Sequence, residues 1–425
     1  MLVAVLLVSL LVLIILGVPI AVALAASSML YIVLAGTVPE IAVIHRMVNG
    51  VDSFPLLAIP FFIMAGNLMN TAGITERIYD FAKALVGWLH GGLGHVNVAG
   101  SVIFAGMSGT AVADAGGLGT IEIKAMRDHG YEVKFAVGLT AASSTVGPII
   151  PPSLPLVIYG VVASASIGQL FVAGIVPGLV MAAFLMLTVG FYAWWRRYPR
   201  DATFRISVLW HTAKRAVLPL MTPAIIIGGM TFGLFTPTEA AIAACAYALL
   251  LGVLYRSLNW RQLLRVSFDT IETTAVVLFI VAGASIFGWV LTTTRATEAF
   301  AAGMLSLTEN PILILIIINI LLLVVGCFME TIAAITILTP VLLPVAVHVG
   351  VDPVHFGIIM VLNLMIGLLT PPVGMVLFVL ARVAGISFED CVRAVAPFLI
   401  PLILALILVT FVPWITLWLP TLIYR

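Results

Sequence analysis

Thr145-Val-Gly-Pro-Ile-Ile-Pro-Pro-Ser153 and Gly367-Leu-Leu-Thr-Pro-Pro-Val-Gly374 each interrupt a long apolar segment, one in each half of the chain. A proline inside a helix removes an amide donor, and its ring clashes with the carbonyl four residues back. The helix opens there and leaves backbone oxygens without partners. In the first break these are the carbonyls of Ser144 and Gly147; in the second, those of Gly367 and Leu368. Inside a bilayer such oxygens are tolerated only where they are buried in protein or line a polar cavity. Helices broken in corresponding positions of two repeats build ion and substrate sites near the membrane midplane. The two breaks therefore point to an all-α secondary transporter.

The surrounding composition agrees. With 63% hydrophobic and 9% charged residues and a mean hydropathy of +1.25, the chain lies outside the range of soluble domains and reads as a polytopic protein of the lipid bilayer. The first lysine or arginine is Arg46, so the leading apolar segment lacks the basic region of a cleavable signal peptide and is expected to persist as the first helix. Cys245, Cys327 and Cys391 have neither a metal spacing nor a disulfide pattern. A net charge of +1, with basic residues scattered at helix ends, gives no footprint for nucleic acid.

Apolar runs of about 20 residues, enough for roughly 30 Å of helix, predict ten crossings. They fall at 1–16, 19–36, 54–72, 135–164 (broken), 170–195, 217–235, 238–255, 270–292, 356–384 (broken) and 394–420. Two further apolar stretches, 95–121 and 311–348, have polar centres at Ser108-Gly-Thr110 and Glu330-Thr331 and read as re-entrant hairpins. With the N-terminus outside, only Arg46, Arg295 and Arg425 of the 19 basic residues lie on the outer side, as the positive-inside rule demands. Making either hairpin a single crossing would destroy that bias. Leu16-Gly-Val-Pro-Ile20 and Phe235-Thr-Pro-Thr238 form matching turns, and each half gives three spans, a hairpin, a broken span and a last span. The expected organisation is an inverted repeat. Residues 1–195 form the first copy, with scaffold helices in 1–72, a hairpin at 95–121 and a broken helix at 135–164. Residues 196–216 are a cytoplasmic linker. Residues 217–425 form the second copy, with scaffold helices in 217–292, a hairpin at 311–348 and a broken helix at 356–384.

The chain resembles the large membrane subunit of TRAP (tripartite ATP-independent periplasmic) transporters, the DctM-like family. The resemblance is carried by Ala58-Ile-Pro-Phe-Phe-Ile63 with Gly66-Asn67, Gly91-Gly-Leu93, Ser108-Gly-Thr-Ala-Val-Ala-Asp114, both proline breaks and Leu170-Phe-Val-Ala-Gly-Ile-Val-Pro-Gly178. It spans essentially the whole chain. It implies an elevator-type fold of the ion transporter superfamily, with a scaffold and a mobile domain carrying hairpins and broken helices. It further implies Na⁺-driven uptake in a bacterial inner membrane with a periplasmic N-terminus. Two partners follow: a small four-helix membrane subunit and a periplasmic substrate-binding protein that delivers an organic acid. Glu330 departs from the family pattern, where Asp is the more frequent residue, and its longer side chain changes the reach of that carboxylate.

The open backbone and nearby hydroxyls predict oxygen sites for an alkali cation at Ser144, Thr145, Gly147 and Pro148 and at Gly367, Leu368 and Thr370. The plain alternative is a proline kink whose carbonyls are satisfied by water. Helix N-termini attract anions, so the substrate is expected at Ser108, Gly109, Thr110 and Thr331 of the hairpin tips, with Pro151, Ser153 and Pro372 at the breaks. The same hydroxyls also suit simple helix capping. Asp114 and Glu330, the acidic residues placed nearest membrane depth, are expected to support these sites. The favoured function is import of a small organic acid coupled to Na⁺, with no organic cofactor. One alternative is a stand-alone ion-coupled anion carrier. Another is an intramembrane hydrolase using Ser108 in Gly106-Met-Ser-Gly109, weakened because the seven histidines lie in loops or at helix ends.

Overall fold

The computed structural model describes residues 2–36, 38–71, 74–308 and 310–424, without the side chains of residues 106–108 and 307. The described residues form helices and connections, with no strand. Helices α1 (Leu2–Ile15) and α2 (Ile20–Ala35) are followed by the amphipathic α3 (Ile41–Val51). A 3-10 turn at Phe54–Leu57 leads into α4 (Ala58–Thr71) and the amphipathic α5 (Ile74–Val86). The first hairpin rises through α6 (Gly92–Ser108) and returns through α7 (Ala111–Gly116) and α8 (Leu118–Asp128). Next, α9 (Val133–Ser144) and α10 (Leu154–Val162) flank the first proline break, before α11 (Ile167–Arg196). The second half opens with α12 (Ile206–Thr231), α13 (Pro237–Leu254), α14 (Trp260–Thr293) and α15 (Ala296–Leu307). Its hairpin is α16 (Pro311–Phe328) and α17 (Thr331–His348). The second break separates α18 (Pro353–Gly367) from α19 (Met375–Ala384), and α20 (Phe388–Phe411) and α21 (Trp414–Ile423) complete the chain.

Seven of these helical stretches are long and apolar enough to cross a membrane. Their ends are set by local chemistry. Thr236 with Glu239, and Asn259 with Gln262, form capping boxes that satisfy the first amides of α13 and α14. Proline opens α13, α16 and α18 at positions where a missing amide costs nothing. Every residue of α9 from Phe135 to Ser144 and of α18 from Val354 to Gly367 is buried. A helix apolar all round belongs at the centre of its domain, so both breaks open from the middle of the molecule. Around that centre α2 packs on α14, α4 on α13, α9 on α20 and α11 on α18.

The structure departs from the sequence expectation in several places. The first hairpin runs from 92 to 128 rather than 95–121, because α8 continues past its first charges. Leu118, Glu122, Ile123 and Met126 turn inward while Lys124 and Arg127 face out. The linker shrinks from 196–216 to the connection 197–205, since α12 already begins at Ile206. That connection is strapped to the base of the first hairpin. Asp201 accepts from the Leu93 amide at 2.9 Å and from the Tyr131 hydroxyl at 2.5 Å, and the Gly91 amide donates to Pro199 at 3.0 Å. The amphipathic α3 and α5, and α15, were not expected. The first two bind by stacking cations on rings: Arg46 lies over Trp289 at 4.9 Å and Arg77 over Tyr255 at 3.8 Å. The expected last span divides into α20 and α21 on either side of Pro413.

Candidate functional site

Each hairpin tip rests against a proline break. Gly109 sits in the left-handed region at φ 63°, and a Cβ there would lie 3.3 Å from the Pro152 carbonyl oxygen. The tip thus turns on a residue without a side chain, directly over the first break. Thr110 then starts α7, its hydroxyl accepting from the Ala113 amide at 3.2 Å. At the second tip the Glu330 carboxylate caps α17, accepting from the amides of Ile332 at 2.9 Å and Ala333 at 3.3 Å. The second break is tied to this hairpin by the Val373 amide, which donates to the Cys327 carbonyl at 3.2 Å. It is also held by close backbone contact, since a Cβ on Gly367 would come within 2.6 Å of Gly326 Cα.

Between the tips lies a cavity of about 500 Å³. Its walls bring together Thr110 and Ala111 of the first tip, Pro148 and Leu154 at the first break, Glu330 and Thr331 of the second tip, and Leu368 at the second break. The opposite wall comes from α4 and α14, through Asn67, Asn70, Glu272 and Thr273. Asn67 bonds to Thr270 at 3.3 Å and so joins those two helices. Among the described residues that line the cavity, the charged ones are Glu272 and Glu330, and none is basic.

The backbone at the first break is open as expected. Among the described residues, no backbone amide donates to the carbonyls of Ser144, Thr145 or Gly147. In the second break Leu368 is likewise open, whereas the Gly367 carbonyl accepts from the Thr370 amide at 2.9 Å. That turn removes one lone pair from the expected set. The hydroxyl protons of Ser144, Thr145 and Thr370 are given to Ala141 at 2.8 Å, Ala142 at 2.6 Å and Ile366 at 3.0 Å. Each hydroxyl oxygen therefore keeps lone pairs that can face a cation. Among the described residues there is no group of three or more His, Cys, Asp or Glu able to hold a metal. The donor set consists of hydroxyl and carbonyl oxygens, which suit a hard alkali ion and not a transition metal.

The expected site residues divide accordingly. Thr110, Pro148, Glu330, Thr331 and Leu368 reach the cavity wall. Gly109 and Gly147 are buried beneath it. Ser153 is occupied as the N-cap of α10, accepting from the Leu156 amide and donating to the Pro148 carbonyl, so it faces the break and not the cavity. Pro151 is buried and Pro372 exposed, and neither lines the cavity. The Ser108 side chain lies outside the described residues. Asp114 is 1% exposed and sits behind the first tip. Asn67, Asn70, Glu272 and Thr273 were missed, as were the buried Asn97 and Glu122. The signal was present as polar residues inside apolar segments, Asn67 and Asn70 one turn apart on α4. Glu122 lies one residue past the expected end of the hairpin and is 2% exposed, buried within the protein as fully as Asp114.

The sequence matches the family model for the DctM component of tripartite ATP-independent periplasmic transporters over residues 7–415. It is 47% identical over 407 residues to the sialic acid TRAP transporter large permease protein SiaM of Vibrio cholerae, covering 96% of this chain and 95% of that protein. It is 42% identical over 408 residues to the sialic acid TRAP transporter permease protein SiaT of Haemophilus influenzae, covering 96% of this chain and 66% of that longer protein. Among solved structures, the YdaH transporter of Alcanivorax borkumensis is similar with a TM-score of 0.63 and 14% identity, over 89% of this chain and 88% of that one. At that identity the likeness is one of fold.

Proposed function

The chain belongs to the DctM family, the large permease subunits of TRAP transporters, and from that premise we propose that it couples Na⁺ entry to uptake of a hydroxylated organic acid. It is a multi-pass membrane transport protein and not an enzyme. The observation that carries the proposal is the charge of the cavity wall. Among the described residues, an anion entering a space whose charged lining is Glu272 and Glu330 meets no basic side chain. Cations at the two breaks would supply the missing positive charge, through open carbonyls and hydroxyl oxygens that tolerate an alkali ion. Substrate and Na⁺ are then bound together for electrostatic reasons, which is what symport requires.

The substrate class follows from the wall and from the relatives. Amide and hydroxyl groups of Asn67, Asn70, Thr110, Thr273 and Thr331 suit a polyhydroxylated acid, and both relatives described above are named for sialic acid. A sialic-acid-like monocarboxylate is therefore the leading substrate. The proposed partners are a small membrane subunit and a periplasmic binding protein, in a bacterial inner membrane with the N-terminus in the periplasm. The proposed motion is an elevator between inverted repeats. Helix contacts support it: α2 meets α14 as α13 meets α4, and α10 meets α17 as α19 meets α7. In this reading residues 1–195 and 217–425 are the two copies.

The test is uptake in proteoliposomes containing the chain and its small subunit, with and without the binding protein, under an inward Na⁺ gradient. Sialic acid should accumulate ahead of C4-dicarboxylates, and only with Na⁺ and the binding protein present. Uptake without the binding protein would favour a stand-alone carrier, and uptake on a proton gradient without Na⁺ would remove the cation assignment.

A further inference from the structure

Behind the first tip, and away from the cavity, two carboxyl groups are buried without a counter-ion. Asp114 on α7 is 1% exposed and Glu122 on α8 is 2% exposed. Glu122 Oε2 accepts from Asn97 Nδ2 at 2.6 Å, but Glu122 Oε1 and both Asp114 oxygens have no hydrogen-bond partner. No lysine or arginine is among the buried residues described. On the elements packed against α8, Lys134 of α9 and Arg382 of α19 are both exposed, Lys134 pairing with Asp390 at 2.9 Å. The groups that do face the pair are Tyr79 of α5, towards Glu122, and the Ser101 hydroxyl of α6, towards Asp114. Two unpaired carboxylates held together away from water would be far costlier than an unmade neutral hydrogen bond.

Asn97 fixes the sense of the network. One of its N–H bonds goes to Glu122 and the other to Thr140 Oγ1 at 2.7 Å, while its oxygen accepts from the Ser143 hydroxyl at 2.7 Å. All its capacity to donate is used, and Glu122 Oε2 is the accepting oxygen. The remaining Oε1 is buried and without a partner, and has the place of an acid hydroxyl. Space favours a proton over a metal ion. A Cβ on Gly100 would lie 3.0 Å from Glu122 Oε1, and one on Gly119 would lie 2.7 Å from Thr140 Cγ2. A cation with several oxygen ligands needs room, whereas a proton needs none.

We propose that the first hairpin contains a proton-binding site, in which Glu122 carries the proton on its unpartnered Oε1 and Asp114 is the second buried carboxyl of the pair. The chain of bonds from Ser143 through Asn97 to Glu122 runs from the last turn of α9, beside Ser144 and Thr145, to α8, the second helix after the Thr110 tip. Loss of the proton leaves two negative charges facing each other and forces α7 and α8 apart. The proton thus holds the tip in register with the first break. Because the folded chain binds a proton that the unfolded chain has released at neutral pH, thermal stability falls as pH rises from neutral.

The experiment is infrared spectroscopy of the purified full chain at neutral pH, together with melting temperature measured across alkaline pH. The wild type should show a protonated carboxyl band that is lost in E122Q, and E122Q should lose the alkaline decline in melting temperature. Should E122Q fail to accumulate, D114N serves, because removing the second buried carboxyl shifts the same band. An unchanged spectrum in these variants would overturn the proposal. So would a wild-type band absent at neutral pH together with Na⁺-induced stabilisation that disappears in E122Q, which would make the site one for Na⁺. This outcome is independent of which acid is transported or what drives it.

Discussion

Thr145 and Thr370 carry the cation proposal at the scale of single residues. Each lies within a proline break and gives its hydroxyl proton to the preceding turn, which leaves its oxygen free to meet a positive charge. Replacing either with valine keeps the shape and removes that oxygen. A charge-assisted contact is worth about 1.5–3 kcal/mol, so Thr145→Val or Thr370→Val should raise the Na⁺ concentration for half-maximal uptake by roughly tenfold or more. The proteins should still insert and fold. Unchanged Na⁺ dependence in both variants would count against the break oxygens as ligands. Proline chemistry made these positions legible in the sequence, because it names the carbonyls that a helix must release. The α4 and α14 wall was not legible in that way. Asn67, Asn70, Glu272 and Thr273 become a surface only when two sequence-distant helices meet across the tips. The hydrogen bond from Thr370 to the Gly367 carbonyl was equally hidden, because it depends on how tightly the chain turns after α18.

Among the elements, the seam between α16 and α18 shows packing overriding local preference. Alanine at a helical glycine normally stabilises by about 0.5–1 kcal/mol, because glycine loses more freedom on folding. At Gly367 the added Cβ would approach Gly326 Cα to 2.6 Å, and both atoms belong to rigid backbone. Overpacking of this kind costs about 1–3 kcal/mol, so the steric cost wins. Gly367→Ala should lower the melting temperature and reduce uptake by moving the second break away from its hairpin. A variant as stable and active as the parent would show that the seam yields easily. The helix interruptions near residues 109, 145–153, 329 and 368–374 could be read in advance because each combines an apolar run with a polar or proline-rich centre. Their ends were harder. In α8, inward Glu122 and outward Lys124 and Arg127 share one short helix, so the helix runs past residue 121 with its charges divided between two faces. The amphipathic α3 and α5 fell below notice because they lie between spans, and their anchoring rings, Trp289 and Tyr255, come from the other half.

For the molecule as a whole, an elevator requires the hairpins and broken helices to slide past α4 and α14 as a body. The cavity is formed between those two groups, so bound substrate would be carried with the tips while the α4 and α14 wall stays in place. This makes the contact between α14 and α17 a decisive place to arrest motion. A Cβ on Gly288 of α14 would lie 3.7 Å from Pro340 Cγ of α17. Pro340 Cβ, one bond from that atom, lies beyond 4 Å, so a cysteine pair there stands at the long end of the separation of about 3.5–4.5 Å between Cβ atoms that a disulfide needs and closes with a small shift of α17. In a background lacking Cys245, Cys327 and Cys391, the pair Gly288→Cys with Pro340→Cys should transport when reduced. Oxidation should abolish uptake, and a reductant should restore it. Each single-cysteine variant controls for the loss of Gly288 or Pro340 itself. If the oxidised pair is fully cross-linked yet transports at the reduced rate, α17 does not slide along α14, and the substrate must cross by local opening of the tips.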